Sequence, residues 1–547
     1  MAAEAGSVMA ARSDDGQRNL VPRWRYTGRT PLTGEHAGDP SLPLVPASTT
    51  LYLAMAEALW RTSPSIEHAI DLISCACACG KPLLARPAAA WLRSRHTHIP
   101  DQLKSAVDWI LKGAPSNEHL WAAADTSNSA GLAEAKRTIK HNRSALIQGP
   151  RNVAGWLDLS LAYCVLGLVR DARRAMTVAL GLAPNHRAVL RAAARMLIHV
   201  GQTDEAHTLI RRHARTPTDP WLMATEISIA QVLERTPLFA DKGRRFTREH
   251  AHQPAYVTEL AGAVATVESA AGEHRRAHKL YQLSLLEPTD NVVAQVQYLS
   301  QNDRSLKYGN AGLDLPSAVE ARTWQAMGQD RWDIALKEAV AWHADEPFSS
   351  RPATAVSYLA MIVGDPLLAI SSAEAGLRAN EGDQLLRNNL AVAYARAGQH
   401  EHALREFLKI RGPLQRGYPR YVFDATRGLM AYIAGDAALG RELYETATRH
   451  APIGDRPRVA VSWVETEWTF APTSRPALLV ELKQAIDKTG SPPVRAVARR
   501  LIATAEKKAT PGVPGLNSSQ LAIALRLIDT QPTILKAIGF SDGKSER

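Results

Sequence analysis

"WLDLSLAYCVLG", residues 156–167, places a tryptophan, a tyrosine and a closing glycine in an otherwise apolar helical run. If that punctuation recurs at a fixed interval it defines a repeat unit; if it does not, the stretch is one core helix. Reading outward, Trp156, Leu159, Ser160, Tyr163, Gly167, Ala172, Met176, Ala179 and Pro184 describe two helices, the first ended by Gly167 and the second stopped by Pro184. Small residues let the helices approach closely, and large ones fill the gaps between turns. A step of 34 residues gives Leu190, Ala194, Leu197, Gly201, Ala206 and Ile210, with Pro217 one residue early. After a degenerate stretch at 221–257 the marks return as Ala265, Gly272, Ala277, Tyr281 and Pro288, then more weakly as Trp324, Ala335, Trp342 and Pro347. Three further units carry Ser357, Gly364 and Ala369; Leu390, Ala391, Tyr394, Gly398, Ala403 and Phe407; and Gly428, Gly435, Tyr444, Ala447 and Pro452. Glycines 364, 398 and 435 stand 34 and 37 residues apart, which places a short insertion at "GPLQRGYP".

Over residues 151–455 the chain resembles the tetratricopeptide-repeat family, with the pattern W-x2-L-G-x2-Y, A-x3-F and P matched most fully at 153–186 and 384–417. Ser160 replaces the small glycine and Met176 the aromatic, both within the same size class. The resemblance implies an all-α fold, a right-handed superhelical solenoid of antiparallel helix pairs, whose concave groove binds peptides or partner proteins. It implies no reaction.

Composition agrees with helices. The chain has 547 residues, 45% hydrophobic and 22% charged, too long for one core; alanine and leucine dominate, and β-branched runs are rare. Its net charge of +11 is spread along the whole length, so a nucleic-acid role ranks below a protein partner. No apolar run reaches the roughly 20 residues of a membrane span, and the start lacks the apolar core of a signal peptide. Four cysteines, three of them at 75, 77 and 79, make a disulfide framework implausible, so the expected compartment is a reducing cytoplasm, bacterial by expectation.

The expected organisation is a disordered Pro/Gly-rich tail at 1–47, a helical region at 48–150, repeat blocks at 151–300 and 301–455, and a helical C-terminal cap with a flexible end at 456–547. Within the repeats, the resemblance carries helix positions facing the groove onto Arg191, Arg195 and His199, which are stacked by their spacing of four. Such a row suits an acidic peptide or a phosphate; equally, it is a solvated face with Asp158 or Asp204 as partner. Asn388 and Asn389 are poor helix-interior choices, and an amide there can hold an extended backbone; the resemblance assigns peptide contact to Asn389. Trp324, Met327, Tyr358, Met361 and Tyr432 make an adaptable inner surface or pack on one another.

No cofactor, metal or catalytic residue is called. "CACACG" puts Cys75 and Cys79 on one helix face and Cys77 elsewhere, which reads as small packing residues rather than a zinc site. Arg93 and His98 have the Arg-x4-His spacing of some helical ribonucleases, but no second acid or base accompanies them. The basic helix at 494–508 reads as a solvated face, or as a phosphate or lipid contact. The expected function is therefore a non-enzymatic scaffold or adaptor whose groove takes a protein segment, an acidic one if the arginine row faces the partner rather than solvent. A regulatory protein touching nucleic acid and a divergent nuclease in 48–150 are the alternatives.

Overall fold

The computed structural model describes residues 18–27, 50–78, 82–95, 107–108, 110–111, 128–148, 150–302, 309–410, 419–452 and 455–470, with three further positions at 499, 502 and 503. Among the described residues it is all-helical, with 22 α-helices and no strand, and the helices pack largely against their chain neighbours. All but the last residue of the "GPLQRGYP" insertion, the third cysteine Cys79, His98 and nearly all of the 494–508 helix lie outside the described residues.

The opening stretch forms the helix Val153–Val165, capped by Asn152, whose side chain accepts from the Gly155 backbone N–H. Gly167 follows at φ 70°, a left-handed conformation that turns the chain into the helix Val169–Leu182. The closure is a Schellman hydrogen bond, with the Leu168 N–H donating to the Tyr163 carbonyl at 2.9 Å. The same bond recurs at Gln202 to Leu197, Arg235 to Ala230, Glu273 to Glu268, Arg331 to Ala326, Asp365 to Ala360, Gln399 to Tyr394 and Asp436 to Ala431, all at 2.8–2.9 Å. Six of these turns have glycine in the left-handed position (167, 201, 272, 364, 398 and 435); the other two have Glu234 and Asp330, at φ 54° and 60°. The stretch read as degenerate at 221–257 is thus a helix pair closed by the same geometry without its glycine. Pro184 and Pro452 lie just beyond Leu182 and His450, the last residues of their helices.

The remaining repeat marks have packing roles. Ala172, Ala206, Ala277 and Ala403 are fully buried, and Tyr163 and Tyr394 nearly so. Ser160 donates to the Ala172 carbonyl at 2.9 Å, so this small residue also ties the two helices together. Trp156 is half-buried and donates through Nε1 to the Pro150 carbonyl.

Two features shape the interior. First, Asn128–Gln148 and Val153–Val165 touch the helix Pro366–Ala379, more than 200 residues later in the chain. Second, residues 18–27, expected to lie in a disordered tail, form an extended, buried segment. The tail reading fails here because the aromatic, aliphatic and arginine side chains of "RNLVPRWRYT" all find partners in the helical body. Leu20 enters the core around Ile227, Leu260 and Val292, while Trp24 and Tyr26 enter a different one, around Leu157, Met196 and Phe348. Residues 53–110 have a separate core of their own, around Leu72, Ile73 and Leu92.

Candidate functional site

The site is the face that residues 18–27 cross. Pro22 cannot enter a helix interior and restricts Val21 to extended backbone, so the segment arrives as a strand-like strap that contacts its surroundings through side chains. Arg18 donates from Nε and Nη2 to the two Glu320 oxygens at 2.9 and 3.0 Å, from Nη1 to Gln295 Oε1 at 2.8 Å and from Nη2 to Asn291 Oδ1 at 2.9 Å. This uses the planar fork of the guanidinium almost completely. Asn291 also donates to the Val21 carbonyl at 3.1 Å.

Leu20 fits against Gly262, where a Cβ would stand 2.9 Å from its methyl group. Arg23 reaches Glu346 at 2.7 Å, Asp290 at 3.3 Å and Glu320. Arg25 donates to Asp345 at 2.5 Å and Asp290 at 2.7 Å. Trp24 meets the Phe348 ring edge-on at 5.3 Å. At the far end, Thr27 donates from its backbone N–H and its hydroxyl to the two Asp158 oxygens at 2.7 and 2.8 Å.

The acids come from well-separated elements: Asp158 from Val153–Val165, Asp290 from the helix Asp290–Asn302, Glu320 from Val319–Gly328, and Asp345 and Glu346 from the end of Trp332–Asp345. Around the arginines, Asp290, Glu320, Asp345 and Glu346 face Arg18, Arg23, Arg25 and Arg351, whose Nη2 lies 2.7 Å from Glu320. Four carboxylates meet four guanidiniums, three of them supplied by the segment.

Burial alone would raise Glu320, but Arg18, Arg351 and Arg23 outweigh it and hold the carboxyl well below the usual range. Glu346 likewise falls to about 2, with Arg23 and Arg25 overcoming its burial. Asp345 goes the other way, up to about 6, because burial and the neighbouring Glu346 and Asp290 exceed the pull of Arg25. Burial also lifts Asp158 to about 6 against its two hydrogen bonds from Thr27.

The row Arg191, Arg195, His199 does not present free positive charge. Arg191 is 2% exposed, pairs with Glu259 at 3.2 Å and stacks 4.9 Å from the Trp221 ring centroid. Neither Asp158 nor Asp204 is its partner: Asp158 holds Thr27, and Asp204 pairs with Arg235 at 2.6 Å. Arg195 lies over Phe348 at 4.9 Å and His199 meets the same ring edge-on at 5.1 Å. Burial, with Arg195 beside it, lowers the His199 imidazole to about 3, so it is neutral. The row therefore helps to frame Phe348, the ring that receives Trp24.

Trp324 is buried beside the site and donates to Glu320 Oε1 at 3.3 Å. The other candidates lie apart from the strap. Asn388 is buried, Asn389 donates to the Ser357 hydroxyl at 3.0 Å, and Tyr358 is half-buried in the cluster containing Trp342. Tyr432 donates to Glu467 and accepts from Trp463 Nε1. Arg93 pairs with Asp108 at 3.3 Å on the surface. Among the described residues no group of three or more His, Cys, Asp or Glu side chains is placed to hold a metal, and no helix is long and apolar enough to cross a membrane.

Neither a family model nor a curated protein matches this chain. The site must therefore be read from its own chemistry. Sequence reasoning missed its acids because they are scattered over four helices, with only Asp345 and Glu346 adjacent, and missed Arg18, Arg23 and Arg25 because the surrounding Pro/Gly-rich composition masked them. The available signal was local: Leu20, Val21, Trp24 and Tyr26 make "RNLVPRWRYT" richer in apolar and aromatic residues than a solvated tail requires.

Proposed function

We propose that the protein is a non-enzymatic interaction scaffold, a tetratricopeptide-like solenoid that captures an extended segment of a partner protein on its inner face. One observation supports the reading: an extended stretch, residues 18–27, is gripped by side chains from several helices well separated in the chain. Repeat arrays bind in this way because each pair contributes one or two side chains to a continuous surface. The acids around the strap disfavour a phosphate-bearing ligand there, which ranks the nucleic-acid alternative lower. The arginine row, being ion-paired and packed, lends no support to an acidic partner.

The reading is tested by retention of proteins from the native cell extract on the immobilised chain, compared with Glu320→Lys and with Arg174→Glu, a change at an exposed residue of the helix Val169–Leu182 away from the strap's contacts. Partners are expected to be lost from Glu320→Lys and kept by Arg174→Glu. Equal retention by all three would count against the inner face as the binding surface.

A further inference from the structure

The geometry points to a specific ligand class: the inner face is a receptor for an extended peptide carrying Arg-x4-Arg-x-Arg with a tryptophan between the last two arginines, and residues 18–27 are its tethered resident competitor. This rests on the interaction reading above and names the partner's chemistry.

The charge count is the first argument. Without the strap, Arg351 alone of the four paired cations remains among Asp290, Glu320, Asp345 and Glu346. Buried charge without a partner is costly, so the emptied face demands a replacement cation rather than an apolar filler. Shape selects arginine over lysine. Arg18 spreads donors over Glu320, Gln295 and Asn291, and Arg25 bridges Asp290 and Asp345, arrangements that match a planar fork and not a point charge.

Two apolar contacts fix the register: the leucine slot over Gly262 and the Phe348 ring under Trp24. The strap is joined to the helix Thr50–Thr62 only through residues 28–49, so its release breaks no covalent link within the helical body. The pairs are closed by their own Schellman turns, which involve no strap residue, while Leu20, Trp24 and Tyr26 each share a core with the helices and so leave slots that an incoming leucine and aromatic rings would refill.

A tethered segment acts at an effective concentration of order millimolar, so a free peptide of micromolar affinity is weakened about a thousandfold by the resident strap. The probe is a fluorescent peptide of residues 16–29, GQRNLVPRWRYTGR, followed by anisotropy. The receptor is the full chain with a protease site inserted after Gly34, measured before and after cleavage, with far-UV circular dichroism recording that it stays folded. Cleavage is expected to leave the strap seated but exchangeable, so that the probe binds the cleaved chain about a thousandfold more tightly than the uncut one. A probe with lysine at the positions of Arg18, Arg23 and Arg25 is expected to lose at least tenfold.

A folded, cleaved chain that retains its strap and refuses the probe would make the strap a permanent part of the fold and overturn the inference. Equal binding by cut and uncut chains would place the probe elsewhere, and equal binding of the lysine probe would reduce the contact to general attraction. Refusal of the probe alongside Glu320-dependent retention of cellular partners would sink this inference and leave the scaffold reading standing.

Discussion

At the residue scale, Glu320 is the hub, since Arg18, Arg23 and Arg351 converge on it and Trp324 donates to it. Glu320→Leu leaves those cations partly unpaired in a buried setting and is expected to cost about 3–5 kcal/mol in denaturant unfolding. Arg61→Ala, which removes a surface pair with Glu57, is expected to change stability by less than about 0.5 kcal/mol. Asp158 makes a separate prediction. Its carboxyl titrates near 6 when folded and near 3.8 when unfolded, so between these values the folded chain holds the extra proton. Stability is then gained as pH falls through that window and lost as pH rises through 6. Asp345 acts with the same sign, while Glu320 and Glu346, held low, oppose it only as pH approaches 4.5 and below. In Asp158→Asn the pH dependence of unfolding free energy between pH 5 and 6 is expected to flatten by up to about 1.4 kcal/mol per pH unit, the contribution of one proton. An unchanged slope in urea titrations at several pH values would remove Asp158 from the account.

At the scale of elements, the turn between paired helices decides the architecture, and its glycines separate into two kinds. Gly201, at φ 77°, has open space where a Cβ would go, so Gly201→Ala carries only the cost of a left-handed L-residue, about 1–2 kcal/mol. Gly167, at φ 70°, has the Arg378 carbonyl oxygen 2.5 Å from its absent Cβ, and Gly167→Ala is expected to cost clearly more. Thermal unfolding of the two variants checks the order, and equal losses would show that the Arg378 contact gives way. These elements are also where the sequence was most readable. Glycine, alanine and aromatic marks revealed the pairs because packing between chain neighbours leaves a periodic trace. The trace fades where Glu234 and Asp330 take the left-handed position, since there neighbouring structure enforces what glycine permits elsewhere. The site left no such trace. The strap's ion pairs join residues 265 to 323 positions apart and its hydrogen bonds to Asp158 span 131, and no local pattern announces that Arg25 will meet Asp345. The arginine row was visible, but Glu259, Trp221 and Phe348, which neutralise or cover it, were not visible as its partners.

At the scale of the whole molecule, the strap joins helices that the chain order keeps far apart, and with the contact between 128–165 and 366–379 it ties early pairs to later ones. Replacing Arg18, Arg23 and Arg25 together with alanine is expected to speed amide exchange in 153–165, 290–302 and 319–328. The helices Arg420–Ile433 and Ala437–His450, which pack on each other and on Arg456–Phe470, are expected to be unaffected. Uniform acceleration across every helix would mean that the strap supports the entire fold rather than the interior it crosses.

The position of the strap near the beginning of the sequence fixes the order of assembly. During synthesis Arg25 is made 320 residues before its partner Asp345. At about 5–20 residues per second, some 15 to 65 s pass before that partner exists. Through this interval three arginines, a leucine and a tryptophan wait in water while the helix pairs close one after another. A segment made before its partners is therefore put away after them, and the growing protein passes through a stage in which the strap is free and its face is still being built.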